Sequence, residues 1–145
     1  MKAAAKALLV LWLCAALPAL ASEELVLIVA ADSKIDQLDS STVRKLFLGL
    51  TVQRMGERLH PLLNESDAQL KEIFLQNVVS MSDSTYDRRV LQLALEQGRK
   101  QPTVYQSTPQ LINTVAADPT AVSYAWRKDI AGDRRIRVLR TLWHD

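Results

Sequence analysis

Beyond its first 21 residues, this sequence has no cysteine. The one cysteine, Cys14, lies in the apolar amino-terminal segment, so a domain that starts after this segment forms no disulfide. A small secreted domain that depends on disulfide bonds is therefore excluded. The same absence excludes a catalytic cysteine, and no Gly-x-Ser-x-Gly motif marks a serine nucleophile. We expect no enzymatic activity.

The sequence also lacks an excess of charge of either sign. Lys2 and Lys6 belong to the amino-terminal segment, and without them 16 of the 18 basic residues remain, which equals the number of acidic residues. A domain without net charge gives no indication of nucleic-acid binding. His60 and His144 are far apart in sequence and have neither cysteines nor clustered acidic residues near them. We therefore expect no metal site and no cofactor.

The first 21 residues are typical of a secretory signal peptide. They begin with two lysines, continue with an apolar run and end with the small-x-small pattern Ala19-Leu20-Ala21. The run is too short to favour a membrane span, and no small residue precedes Cys14 where a lipid-attachment site would have one. We expect cleavage after Ala21 and export of residues 22–145 to the bacterial periplasm, as a domain that is not an integral membrane protein.

Strand-like and helix-like patterns alternate along residues 22–145. Residues 25–31 form a continuous apolar run, which is typical of a strand buried on both faces of a mostly parallel sheet. Further strands are predicted at 59–63, 103–105, 121–126 and 135–142, a turn or hairpin at 51–57, and helices within 39–50, 66–79, 80–98 and 107–118. This order predicts an α/β three-layer sandwich with one mixed, mostly parallel sheet.

The segment 60–74 combines the end of a strand, a polar corner and the start of a helix. Ser66 and Gln69 have the spacing of a capping box, and Ser107 and Gln110 repeat it. In α/β proteins such corners bind ligands, because free N–H groups and the positive end of the helix dipole face outward. The corner is therefore either an anion site or an ordinary helix start.

Polar residues follow three successive predicted strands, and we expect them to meet along the carboxyl edge of the sheet. Hydroxyl, amide and ammonium groups near helix N-termini form a candidate site for a small anion. Serine, threonine and asparagine also cap helices without binding a ligand. For these residues, a capping role without a ligand is the favoured interpretation. The candidates are Ser33, Lys34, Asn64, Ser66, Ser107 and Thr108.

Four segments, in order, resemble the small periplasmic relatives of phosphate ABC-transporter substrate-binding proteins. Residues 24–29 resemble the opening strand of that family, and 38–50 resemble its "I-x-x-I-F-L-G-K" helix. Residues 61–74 resemble the strand, corner and helix that hold the anion, and 111–124 resemble its "V-x-x-V-x-x-x-P-G-A-I-G-Y-V" segment. The resemblance implies a periplasmic-binding-protein lobe, a phosphate-like anion as ligand, and an inner-membrane transporter or sensor as partner.

The corner departs from the family's Arg-Ser-Asp-Gly-Ser-Gly-Thr-like sequence. Ser66 and Asp67 are kept, which adds Asp67 to the candidate ligand residues. Glu65 stands in place of the arginine, and residues with side chains replace both glycines. A buried phosphate needs charge-assisted donors, and Lys71, one turn into the helix, supplies one only if its side chain folds back.

Two functions follow from this resemblance. The first is a non-enzymatic solute-binding-type protein for a small, phosphate-like anion, linked to ABC transport. The alternative is a relative without a ligand that acts as an interaction or signalling module for a membrane-bound sensor or transporter. Residues 22–145 have the size of about one lobe, whereas transport proteins of this family have two. The sequence does not indicate the oligomeric state, although a dimer would rebuild a closed cleft.

Overall fold

The computed structural model describes residues 22–145. The predicted signal peptide lies outside the described residues. In chain order the elements are β1 (Glu24–Ala30), α1 (Ser40–Phe47), β2 (Gln53–Arg54), β3 (Glu57–Arg58), β4 (His60–Asn64), α2 (Ala68–Phe74) with a π-helical continuation (Leu75–Val79), α3 (Asp83–Gln97), β5 (Thr103–Tyr105), α4 (Thr108–Ala117), β6 (Ala121–Trp126), α5 (Arg127–Ile130) and β7 (Ile136–His144).

Five of the strands form one sheet in the order β5-β4-β6-β1-β7, and β2 and β3 form a separate hairpin. Strand β4 is parallel to β5 and β6, whereas β1 is antiparallel to both β6 and β7. Four of the five strands therefore run in the same direction. This confirms the predicted α/β fold with one mixed, mostly parallel sheet. The strand with the most apolar sequence, β1, is the one that runs the opposite way.

Helices cover both faces of the sheet, and β1 supplies side chains to both cores. Leu25, Leu27 and Val29 pack on the face covered by α1, α2 and α3, and Val26 and Ile28 pack on the face covered by α4 and α5. All five are completely buried. The alternation of side chains along a strand thus explains why β1 reads as a continuous apolar run.

An aromatic cluster fixes the larger core. The rings of Phe74 and Tyr124 are stacked with their centroids 3.6 Å apart. Phe47 meets Phe74 edge to face at 4.9 Å and Tyr124 at 5.5 Å. The three rings join α1, α2 and β6, so this cluster sets how the two helices sit on the sheet.

The predicted ends of several helices are confirmed. Asp39 caps α1 by accepting a hydrogen bond from the Thr42 N–H at 2.6 Å, and Ser107 caps α4. Helix α3 ends at Gln97 and is followed by Gly98, whose φ of +63° is the left-handed conformation that glycine adopts without strain.

Two local features differ from the sequence prediction. The helix predicted over 66–79 is divided into α2 and a π-helical turn, which keeps Leu75 and Val79 buried beside Phe74. A one-turn helix, α5, follows β6 and was not predicted. Both are too short to produce a period in the sequence.

Candidate functional site

Ser33 and Lys34 lie at the opposite edge of the sheet from the other candidate residues. Because β1 is antiparallel to β6, the carboxyl end of β1 lies beside the amino end of β6. The buried Ser33 hydroxyl donates a hydrogen bond to the Pro119 carbonyl at 2.6 Å, and Lys34 is exposed. The prediction that these two residues join the site at the carboxyl edge is wrong, because it assumed that β1 runs parallel to its neighbours.

Asn64, Ser66 and Thr108 do come together, at the carboxyl ends of β4 and β5. The completely buried Asn64 side chain donates from Nδ2 to the Tyr124 carbonyl at 3.0 Å. Its Oδ1 accepts hydrogen bonds from the Ser66 amide at 3.1 Å and from the Ser66 hydroxyl at 2.6 Å. The Ser66 and Thr108 hydroxyl oxygens are 2.7 Å apart. We call Asn64, Ser66, Asp67 and Thr108 the polar corner.

The protons in this chain of hydrogen bonds all point inward. The Asn64 amide orientation is fixed, because its nitrogen faces a carbonyl and its oxygen faces the Ser66 N–H. The Ser66 hydroxyl therefore donates to Asn64, and the Thr108 hydroxyl must donate to Ser66. The outermost atom, Thr108 Oγ1, keeps only lone pairs for an incoming ligand. These hydroxyls therefore offer an anion no donor unless the chain of hydrogen bonds is rearranged.

Asp67 caps α2. Its Oδ1 accepts hydrogen bonds from the amides of Gln69 at 2.8 Å and Leu70 at 3.3 Å, and its Oδ2 accepts one from the Trp126 indole at 3.1 Å. The Trp126 hydrogen bond lowers the pKa of Asp67, with help from the two backbone amides and against the effect of partial burial. The predicted capping box is thus replaced by an aspartate cap, and Ser66 bonds to Asn64 instead.

The Asp67 carboxylate consequently holds the position that a bound anion would take at this helix end. Free N–H groups at a helix N-terminus attract anions, and here a side chain of the same chain already accepts from them.

Lys71 is neutralised by two carboxylates. Its Nζ lies 3.0 Å from Glu65 Oε1 and 2.9 Å from Asp83 Oδ1. Partial burial alone would lower the pKa of Lys71, but hydrogen bonds to Asp83 and Glu65 outweigh it, so the pKa is raised. With one cation between two anions, this group adds negative charge beside the polar corner.

Ser107 has a capping role. Its hydroxyl accepts from the Gln110 amide at 3.5 Å, and a proline follows in the first turn of α4. It lies next to Thr108 in the chain, but no hydrogen bond joins its side chain to those of the polar corner within residues 22–145.

Trp126 is the residue of this region that the sequence reasoning did not assign to the site. Its indole N–H completes the hydrogen bonding of Asp67, from a position 59 residues later in the chain. Trp143 packs edge to face on Trp126, with the ring centroids 6.3 Å apart. The Lys128 ammonium lies 5.9 Å from the centroid of the Trp126 ring. Its place at the end of a strand that leads to the carboxyl edge was the available signal.

Within residues 22–145, no three histidine, cysteine, aspartate or glutamate side chains are close enough together to hold a metal ion. No helix in the same part of the chain combines the length and the apolar character needed to cross a membrane.

The fold is that of one lobe of phosphate ABC-transporter substrate-binding proteins. A putative phosphate ABC transporter substrate-binding protein from Clostridium perfringens, solved with bound phosphate, superposes with a TM-score of 0.64 at 10% identity, over 82% of this chain and 45% of its own. An ABC-type phosphate transport receptor from Vibrio cholerae superposes with a TM-score of 0.60 at 9% identity, over 82% of this chain and 46% of its own. PstS from Borrelia burgdorferi superposes with a TM-score of 0.56 at 13% identity, over 81% of this chain and 47% of its own.

The chain spans less than half the length of these three structures. No protein-family model matches the sequence, and no curated protein matches it. At this level of identity, the structural similarity describes the fold alone.

Proposed function

We propose that residues 22–145 form a non-enzymatic, periplasmic-binding-protein-type domain that acts as an interaction module for an inner-membrane sensor or transporter. In this proposal the polar corner takes up no free anion. The observation that carries it is the Asp67 carboxylate, which already accepts the hydrogen bonds of two amides of α2 and of the Trp126 indole.

Electrostatics supports this proposal. A phosphate at the end of α2 would face Asp67. Lys71 is already paired with two carboxylates, and Lys128, whose charge acts on Asp67, is paired with Glu23. Two like unit charges about 4 Å apart repel by about 4 kcal/mol at the effective dielectric constant of a protein surface. Hydrogen bonds from neutral hydroxyls contribute about 1 kcal/mol each, so they do not offset this repulsion.

An apolar pair on α3 supports the interaction role. Leu91 and Leu95 are 47% and 76% exposed and, four residues apart, lie on the same face of the helix. Contiguous apolar patches that are rimmed by polar residues mark interaction sites on protein surfaces, and the proposal takes these two leucines as such a patch. In this proposal, Leu91 and Leu95 contact the membrane-bound partner.

An NMR titration with inorganic phosphate tests the absence of a ligand at the polar corner. We expect the amide signals of Ser66, Gln69, Leu70 and Thr108 to stay unchanged up to about 10 mM phosphate, a concentration that would reveal a dissociation constant near 1 mM. Saturable shifts at these amides would contradict the proposal.

Binding of a small, phosphate-like anion at the polar corner is the second candidate function. It is supported by the paired hydroxyls of Ser66 and Thr108 and by the phosphate bound in the Clostridium perfringens protein. In this case Ser66→Ala would abolish the phosphate-induced shifts at the Thr108 amide. If the proposed interaction role is correct, the variant and the wild type give the same titration.

Binding to inner-membrane vesicles tests the partner contact. We expect the purified domain to co-sediment with vesicles from the source bacterium, and Leu91→Glu combined with Leu95→Glu to reduce the bound fraction by about tenfold, because each charge would be desolvated at the contact. Gln92→Glu, on the same helix, is the matched control and should bind as the wild type does. Equal binding of all three proteins would refute this contact.

A further inference from the structure

A groove lies at the edge of the sheet opposite the polar corner, at the amino ends of β4 and β5. It has a volume of about 530 Å³ and lies between the end of α1, the loop after α3 and the first residues of β4. Pockets for small molecules span about 300–1,000 Å³. The groove thus has room for a small organic molecule.

Three basic side chains line this groove: Arg58, Arg99 and Lys100. Within residues 22–145, none of them belongs to an ion pair. Arg99 is partly buried, whereas the other two are exposed. In contrast to Lys71 beside the polar corner, their charge is not offset by a carboxylate that contacts them.

The acidic residue in the lining, Asp118, is already occupied. Its Oδ2 lies 3.0 Å from His60 Nδ1, and its Oδ1 accepts hydrogen bonds from the Thr120 amide at 2.9 Å and the Thr120 hydroxyl at 2.7 Å. These contacts direct the carboxylate toward its own neighbours. Among the described residues, the lining therefore carries three cations without a carboxylate partner and one carboxylate that is already hydrogen-bonded.

Concave surfaces with one sign of charge concentrate the electrostatic potential and attract ions of the opposite sign. Arginine binds phosphate and carboxylate groups through two parallel hydrogen bonds, and lysine adds a point charge. Three cations around one groove match a ligand with more than one negative charge. The volume exceeds what a single inorganic phosphate fills.

We propose that this groove binds a small organic oxyanion that carries two or more negative charges on phosphate or carboxylate groups. Arg58, from the β2–β3 hairpin, and Arg99 and Lys100, from the loop after α3, would contact it from two sides. The site is separate from the polar corner and does not depend on the function proposed for it.

An NMR titration of residues 22–145 at low ionic strength, with pyrophosphate and in a separate series with citrate, tests this site. We expect saturable shifts of the amides of Gly98, Arg99, Lys100 and Thr103 with at least one probe, and no shifts at Ser66 or Thr108. Raising the salt concentration from about 20 to about 200 mM should weaken the binding severalfold, because the charges are solvent-accessible.

Charge-removing variants identify the residues that bind. Arg58→Gln and Lys100→Gln should each weaken the binding by at least about fivefold. Arg134 is exposed and does not line the groove, so Arg134→Gln should change the binding less than twofold. Arg58→Lys, which keeps the charge, should retain most of the affinity. Spectra that match the wild type outside the groove would establish that the variants are folded.

Two results would overturn the proposal. One is the absence of saturable shifts with both probes at about 10 mM. The other is equal binding by the wild type and an Arg58→Gln/Lys100→Gln double variant, which would mean that these cations only offset the dipole at the end of α3. Because the amides of the polar corner are recorded in the same spectra, failure here is distinguishable from failure of the proposed function.

Discussion

Asn64 is the residue on which the polar corner depends. It is completely buried, and both ends of its amide are used: one holds the Tyr124 carbonyl and the other holds Ser66. Buried polar groups are retained only when they are hydrogen-bonded, because an unpaired group costs free energy without return. Asn64 therefore ties β4 to β6 and fixes Ser66 at the same time.

Asn64→Ala should lower the free energy of unfolding by about 2–3 kcal/mol, because it leaves the Tyr124 carbonyl and the Ser66 amide without partners inside the protein. Urea denaturation measures the change. Asn113→Ala removes an exposed asparagine that bonds to Arg135 and should cost less than about 0.5 kcal/mol. A similar loss in both variants would show that Asn64 has no special role.

The charge of Asp67 should make stability depend on pH. Its pKa is lowered in the folded state, so its ionisation contributes stability that is complete above the unfolded-state value of about 4 and is lost as the pH falls through the lower folded-state value. Asp67→Asn removes this contribution. The stability difference between wild type and variant should therefore be larger at pH 7 than near pH 2, as measured by urea denaturation. A difference that does not change with pH would contradict this assignment.

Among the elements, the β2–β3 hairpin places a methionine in a backbone conformation that residues with a β-carbon disfavour. Its two-residue turn is formed by Met55 and Gly56, with φ values of +53° and +77°. Two central residues with positive φ are the mark of a type I′ turn, which favours Asn-Gly. Methionine has a β-carbon that disfavours this region, and the Met55 side chain is 77% exposed, so packing does not compensate.

Met55→Asn should raise the free energy of unfolding by about 0.5–1 kcal/mol, because asparagine tolerates the left-handed conformation better than methionine does. Thermal unfolding would show this as a higher midpoint. Met55→Ala is the matched control, because alanine keeps the β-carbon and should give no such gain. If alanine stabilises the hairpin as much as asparagine, the conformation at position 55 is not the cause.

At the scale of the whole molecule, the reversed direction of β1 decides what each edge of the sheet carries. It moves Ser33 and Lys34 away from the polar corner. The carboxyl edge then holds the self-bonded polar corner, and the opposite edge holds the groove lined by Arg58, Arg99 and Lys100. Local sequence chemistry alone therefore grouped Ser33 and Lys34 with residues that lie at the other edge of the sheet.

The proposed periplasmic location makes a prediction for the whole chain. If residues 1–21 are a signal peptide, the protein extracted from the periplasm should begin at Ser22 and should weigh less than the full chain by the mass of these residues. Amino-terminal sequencing and intact-mass measurement of a periplasmic extract check this. Recovery of the full chain from the cytoplasm would contradict both the cleavage and the location.

Much of the fold could be predicted, because its signals are local. The apolar run of β1, the Asp39 cap and the glycine at position 98 are each read from a few neighbouring residues. The π-helical turn could not be predicted, because it depends on how Leu75 and Val79 pack against the core. The hydrogen bond between Trp126 and Asp67 joins residues 59 positions apart, and no local pattern encodes it.

The sequence by itself determined the α/β class, the order of the strands and the longer helices, and the residue types of the polar corner, since periodicity, capping and turn chemistry act over short distances. The tertiary structure decided how these residues are used. Strand pairing set the direction of β1, and the fixed amide of the buried Asn64 directed the protons of Ser66 and Thr108 inward. Whether a hydroxyl or a carboxylate faces a ligand or its own chain depends on partners that are distant in sequence, and only the folded chain brings them together.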